Sequence, residues 1–117
     1  MDQTHAVAAL GALAQETRLS AFRLLVRAGP EGMIAGAIAE HLGVPASTMS
    51  HHLAALERAG LVLSKRSSRL IRYTAHYEGM RDLLGYLLSD CCQGEPALCG
   101  DLRTFSCAAP LEHIPTS

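Results

Sequence analysis

Apolar residues recur at intervals of three and four along most of this chain, and alternation replaces that spacing only between residues 61 and 75. The first spacing places apolar side chains on one face of a helix, whereas alternation is typical of a strand. Gly29-Pro30, Gly43 and Gly60 interrupt the helical pattern, as glycine and proline do at helix ends. The pattern predicts helices over 5–14, 16–28, 35–42, 47–58 and 78–92 and strands over 61–65 and 69–75.

The order of these elements is α-α-α-α-β-β-α, which predicts a mainly α fold with a small β-hairpin, a winged helix-turn-helix. A Gly-Val-Pro-Ala turn at 43–46 joins the third and fourth helices. In the fourth helix Met49, Leu53 and Leu56 form one buried stripe, and Ser47 is the predicted N-cap. We expect residues 1–92 to form the winged-helix domain and residues 93–117 to form a cysteine-containing tail.

The first and last predicted helices carry more apolar surface than the others. The first, HAVAALGALA, is nearly apolar all round and should be buried. The last has a clean stripe at i, i+3, i+4, i+7 and i+8, formed by Met80, Leu83, Leu84, Leu87 and Leu88. These two helices either complete the core of one chain or contact a second copy of it, and the spacing alone does not distinguish the two.

Charge is concentrated around the hairpin. The formal net charge is −1, yet Lys65, Arg66, Arg69 and Arg72 place four basic residues within eight positions, and no Asp or Glu occurs between Glu57 and Glu78. A local basic field is what a phosphate backbone meets. Short polar side chains at the start of a recognition helix let it lie deep in the major groove. The predicted DNA-binding residues are Ser47, Thr48, Ser50, His51, Lys65, Arg66 and Arg69.

Other classes of protein receive little support. The N-terminus has no basic segment followed by an apolar one, and no apolar run approaches membrane-spanning length. We therefore expect a cytoplasmic protein with reduced thiols and no membrane partner. No cysteine follows the pattern of a catalytic thiol, and neither a Ser/His/Asp set nor a phosphate-cradling loop is recognisable. We expect no enzymatic activity and no organic cofactor.

The segment STMSHHLAALERAGLV at 47–62, followed by the basic hairpin, resembles the ArsR/SmtB family of bacterial winged-helix repressors. Its core is Ser50-His51-His52-Leu53-Ala54-Ala55-Leu56, and ETRLSAFRLL at 16–25 is similar to the family's second helix. The resemblance covers about residues 5–90 and implies a homodimer that binds double-stranded operator DNA and leaves it when an inducer binds.

The same resemblance directs attention to the cysteines. One familiar sensor site of the family is a Cys-x-Cys before the recognition helix, but residues 33–38 contain no thiol. Another uses Asp and His pairs on the last helix, which here has Asp82 and no histidine. What remains is the C-terminal cluster, placed as in family members that sense trivalent arsenic, and it consists of Cys91, Cys92, Cys99 and Cys107.

Trivalent arsenic and antimony are soft, prefer thiolate sulfur and take three such ligands. Cys91 and Cys92 supply two sulfurs, and the six-residue stretch 93–98 allows Cys99 to approach them at small closure cost. Cys107, from the same or the partner chain, is the alternative third ligand. Arsenic(III) or antimony(III) is thus the expected inducer, and a methylated arsenical needs only two thiols.

Three other interpretations of the cysteines remain open. Cys91 continues the apolar stripe of the last helix and could be a small core residue. The cluster could bind a divalent metal, with His113 as an added ligand, although it lacks the Cys-x2-Cys pairs of structural zinc sites. It could also sense oxidation through reversible disulfides.

Overall fold

A computed structural model of the chain describes residues 1–89. Its elements follow the predicted order, with one short strand added. The helices are α1 (Gln3–Leu13), α2 (Glu16–Ala28), α3 (Ala35–Leu42), α4 (Ala46–Arg58) and α5 (Tyr77–Leu88), and a 3₁₀ turn covers Gly29–Glu31. The strands are β1 (Met33–Ile34), β2 (Val62–Ser67) and β3 (Leu70–Ala75). This arrangement is a winged helix-turn-helix, as predicted.

The three strands form one antiparallel sheet in the order β1-β3-β2. β2 and β3 pair from Val62 opposite Ala75 to Ser67 opposite Leu70, and they form the wing. The two residues of β1 pair with Tyr73 and Arg72. The strand β1 was not predicted, because two residues are too few to show alternation.

The core lies where α2, α3 and α4 pack together and against the base of the wing. The Met49, Leu53 and Leu56 stripe of α4 is fully buried, as its spacing predicted. It is joined by the largest other buried side chains, Leu25, Ile38, Leu61 and Val62. No polar or charged side chain is buried among residues 1–89. The core therefore fixes α4 through apolar contacts on one side and leaves its other side free.

Helix α1 is only partly buried within one chain. Its inward face consists of Ala6, Ala9 and Ala12, whose small side chains let the helix lie close to the core. Its larger apolar residues Val7 and Leu10 point outward.

Helix α5 repeats this arrangement. Within its predicted stripe Leu83 is buried and Met80 is partly buried against the core, whereas Leu87 is exposed. The helix ends at Leu88, with Ser89 as its C-cap. Its predicted continuation to residue 92 falls on residues outside the part that the structure describes.

Candidate nucleic-acid interface

The start of α4 presents a row of small polar side chains to solvent. Because Met49 is buried, its neighbours on the opposite side of the helix face outward. All four residues predicted to contact DNA from this helix are exposed, namely Ser47, Thr48, Ser50 and His51. A helix with hydroxyls and an imidazole on its exposed first turns has the donors and acceptors that base edges and phosphates require.

The predicted N-cap of this helix was wrong by two residues. Pro45 occupies the cap position with extended backbone angles, and its side chain makes no capping hydrogen bond. Proline pre-sets the turn, so α4 begins at Ala46 without a side-chain cap. The hydroxyl of Ser47 is therefore not engaged in capping the helix.

The wing carries the predicted phosphate contacts, but fewer of them lie at its tip than expected. The predicted strands 61–65 and 69–75 leave residues 66–68 as the turn; instead Arg66 and Ser67 extend β2, and the loop consists of Ser68 and Arg69. Ser68 has a φ of 60°, as two-residue hairpin loops require. Lys65 lies opposite Arg72 and Arg66 lies opposite Ile71, so the two adjacent cations point to opposite faces of the wing. Lys65, Arg66 and Arg69 are all exposed.

Arg72 differs from the other cations of the wing. Its Nη1 donates hydrogen bonds to the carbonyl oxygens of Glu31 and Gly32, at 3.2 and 3.5 Å. Because these carbonyls belong to the turn that precedes β1, Arg72 braces the hairpin against the helical part of the domain. We infer that its role is mainly structural.

Side-chain and backbone hydrogen bonds hold the wing in position relative to α4. The Ser64 hydroxyl donates to Oε2 of Glu57 over 2.7 Å, and Nδ1 of His76 lies 3.0 Å from the carbonyl oxygen of Gly60. The backbone N–H of His76 donates to the carbonyl oxygen of Leu61 over 2.9 Å. One of these bonds joins α4 directly to β2, and the other two join the end of the wing to the segment between α4 and β2.

Arg18 in α2 and His52 in α4 were not among the predicted site residues. Nε of Arg18 in α2 donates to Nδ1 of His52 in α4 over 3.2 Å. Burial, and after it the positive charges of Arg18 and His51, lower the pKa of His52 below its usual 6.5. The sequence contains one signal for this pair. Arg18 lies four residues before Phe22, on the apolar face of α2, and a cation on that face needs a polar partner.

The predicted inducer ligands Cys91, Cys92, Cys99 and Cys107, together with His113, lie outside the described residues. Within residues 1–89, no group of three or more His, Cys, Asp or Glu side chains is arranged to hold a metal ion. In the same part of the chain, no helix combines the length and apolar character needed to span a membrane.

Comparison with known proteins bears on this interface. Residues 13–65, which include α2 through most of β2, match the model of a helix-turn-helix domain. An ArsR-like transcriptional regulator from Rhodococcus sp. RHA1 is 25% identical, with 89% of this chain and 95% of that chain covered and a TM-score of 0.68. No curated protein sequence matches the chain significantly.

Two further solved structures are informative. A homodimeric winged helix-turn-helix DNA-binding domain from Mycobacterium bovis, described as a possible ArsR-family regulator, is 27% identical over 74% of this chain and 80% of its own, with a TM-score of 0.61. A possible transcriptional regulator for arsenical resistance is 26% identical over 79% of this chain and 93% of its own, also with a TM-score of 0.61.

The crystal structure of NolR from Sinorhizobium fredii is 32% identical over 73% of this chain and 82% of its own, with a TM-score of 0.59. Together with the exposed polar start of α4 and the basic wing, these similarities identify a winged helix-turn-helix regulator of transcription. The chain belongs to the ArsR family of DNA-binding transcriptional regulators.

Proposed function

We propose that this protein is a homodimeric repressor that binds operator DNA and is released from it when trivalent arsenic or antimony binds its C-terminal cysteines. The observation that carries the DNA-binding part is the exposed row formed by Ser47, Thr48, Ser50 and His51 beside a wing without acidic residues. In this proposal Ser50 and His51 contact base edges, and Lys65, Arg66 and Arg69 contact phosphates.

The dimer follows from the apolar surface that one chain leaves uncovered. Val7 is 61% exposed, Leu10 42% and Leu87 47%, although these residues lie on helices whose other faces pack into the core. Covering such side chains with a second copy removes apolar area from water, worth about 25 cal/mol per Å². A similar domain from Mycobacterium bovis is a homodimer. We therefore assign α1 and α5 to the contact between the two copies, which a two-fold operator requires.

The inducer is proposed from the chemistry of the four cysteines and from the similarity to a regulator for arsenical resistance. Cys91 and Cys92 would supply two thiolates, and Cys99 or Cys107 would supply the third. Thiolate–arsenic bonds join residues that follow directly on α5, so ligand capture would act on a helix assigned to the dimer contact. The recognition helices must enter major grooves about 34–36 Å apart, so a small change in dimer geometry lowers affinity.

The DNA-binding part is tested by selecting a duplex from a random-sequence pool with the wild-type protein and measuring Kd for it and for a scrambled duplex. Ser50→Ala and His51→Ala should each weaken binding to the selected duplex by about 1–3 kcal/mol and bind the scrambled duplex almost as the wild type does. Ser20→Ala, an exposed change on α2, is the matched control and should alter neither value. Equal discrimination by His51→Ala and the wild type would contradict the assigned surface.

A further inference from the structure

Arg18 joins three helices of the domain. Its Nε donates to Nδ1 of His52 on α4 over 3.2 Å, and its Nη1 donates to the carbonyl oxygen of Ala12, near the end of α1, over 3.5 Å. Both side chains are partly buried. A single guanidinium therefore connects α2, on which it stands, both to the helix assigned to the dimer contact and to the recognition helix.

The position of His52 on α4 gives this connection its significance. His52 follows His51 directly and lies four residues after Thr48, so Thr48 and His52 occupy adjacent turns on the same side of the helix. A bond that holds His52 against α2 adds to the buried contacts of Met49, Leu53 and Leu56 in fixing the rotation of α4 about its axis. That rotation decides how Thr48 and His51 are directed toward DNA.

We propose that Arg18 and His52 are positioning residues for operator binding, which tie the recognition helix to α1 only while Nδ1 of His52 is unprotonated. The proposal rests on the proposed DNA-binding function, since it concerns the direction of the same surface. Neither residue touches DNA in this arrangement; both act through the orientation of α4.

The protonation state of His52 decides whether the Arg18–His52 hydrogen bond forms, because the guanidinium of Arg18 can only donate hydrogen bonds. A neutral imidazole with its proton on Nε2 accepts at Nδ1, whereas a protonated imidazole donates from both nitrogens and repels the guanidinium. The factors that lower the pKa of His52 are burial first, then the charges of Arg18 and His51. The Arg18–His52 hydrogen bond is thus intact at neutral pH and is lost as the pH falls.

Other titratable groups on the neighbouring helices lie elsewhere. On α1, Asp2 caps the helix at the end opposite Ala12 and is hydrogen-bonded to His5 over 2.7 Å. On α2, Glu16 lines a separate cavity of about 230 Å³ together with Leu42 and Val44. The charged groups that act on the protonation of His52 are therefore Arg18 of α2 and His51 of α4 itself.

The test measures the affinity of the full chain for the selected duplex at pH 7.5 and pH 5.5. Asn at position 52 offers an amide oxygen near the place of Nδ1 and does not titrate, so His52→Asn should bind like the wild type at the higher pH and should keep its affinity better at the lower one. Between pH 7.5 and pH 5.5 we expect the ratio of wild-type to His52→Asn affinity to fall by at most about tenfold, the effect of losing one hydrogen bond to a charged group, because the pKa of His52 is lowered.

Arg18→Gln should already bind about tenfold more weakly at pH 7.5, because it cannot hold both partners at once. Arg23→Gln, an exposed change on the same helix, is the control and should bind as the wild type does. The proposed role of the Arg18–His52 hydrogen bond is wrong if the affinities of His52→Asn and the wild type change equally with pH, or if Arg18→Gln binds the duplex as tightly as Arg23→Gln does. Failure of the wild type to select any duplex would overturn the proposed function together with the proposed role of this hydrogen bond.

Discussion

Gly79 is the residue in α5 whose replacement the structure tolerates least. It is buried at the point where the helix crosses the turn after α4, and an added Cβ would collide with the carbonyl oxygen of Gly60. Gly85, two turns later in the same helix, has open space around the corresponding position. Both glycines lie in α5, but only Gly79 is packed closely against another part of the chain.

This difference predicts opposite effects of one substitution. Gly79→Ala should lower the free energy of unfolding by about 2 kcal/mol, because overpacking against the main chain forces the helix outward. Gly85→Ala should raise it by about 0.5–1 kcal/mol, because alanine loses less backbone entropy in a helix. Urea unfolding of the two variants checks the prediction, and equal destabilisation by both would contradict the packing described for Gly79.

At the residue scale, prediction from sequence succeeded where a local rule decides the outcome. Gly43 ends α3 with left-handed backbone angles, and the Met49, Leu53 and Leu56 stripe is buried as its spacing indicated. The Arg18–His52 bond joins residues 34 positions apart, and no local pattern specifies such a pairing. The contact of Gly79 with Gly60 is inaccessible to sequence reasoning for the same reason.

At the scale of elements, the wing contains arginines of two kinds. Arg66 is exposed on β2, whereas Arg72 on β3 donates to two carbonyl oxygens of the turn before β1. The sequence shows both as members of one basic run. The strand register and the hydrogen bonds to the turn distinguish the two arginines: Arg66 is available to contact a phosphate, whereas Arg72 stabilises the fold.

Alanine substitution should separate these two roles. Arg66→Ala should reduce the slope of log Kd against log salt by about 1.8, since each chain of the dimer loses one phosphate contact, and should leave the unfolding free energy nearly unchanged. Arg72→Ala should lower the unfolding free energy by about 1 kcal/mol, because it removes hydrogen bonds to the backbone. Salt titrations of duplex binding and urea unfolding of both variants provide the measurements. Identical salt slopes for the wild type and Arg66→Ala would contradict the assignment of Arg66 to phosphate.

At the scale of the whole molecule, the order of the helices and the winged fold followed from hydrophobic spacing and from the glycine and proline residues that interrupt it. Spacing did not show which apolar residues stay uncovered in one chain. Small alanines take the inward face of α1, so Val7 and Leu10 are left outside. The short strand β1 was also missed, because its two residues form it only by pairing with β3.

The uncovered residues predict how dimerisation can be disrupted. Val7→Glu and Leu87→Glu should each convert the dimer to monomers, because either change places a charge within an apolar contact. Leu70→Glu is the matched control, since Leu70 is 52% exposed on the wing and should leave the dimer intact. Sedimentation equilibrium gives the association state, and circular dichroism verifies that the variants remain folded. Folded dimers of both Val7→Glu and Leu87→Glu would exclude α1 and α5 as the contact.

The most direct test of the account as a whole is release of the selected duplex, measured by fluorescence anisotropy while an inducer is added. We expect arsenite and antimonite to release the wild-type protein, and Cys91→Ser and Cys92→Ser to bind equally well beforehand but to stay bound. One of Cys99→Ser and Cys107→Ser should behave in the same way, and the other should respond like the wild type. Release by zinc, by cadmium or by peroxide instead would favour divalent-metal or redox sensing, and an unchanged arsenite response in all four variants would contradict the cysteine sensor.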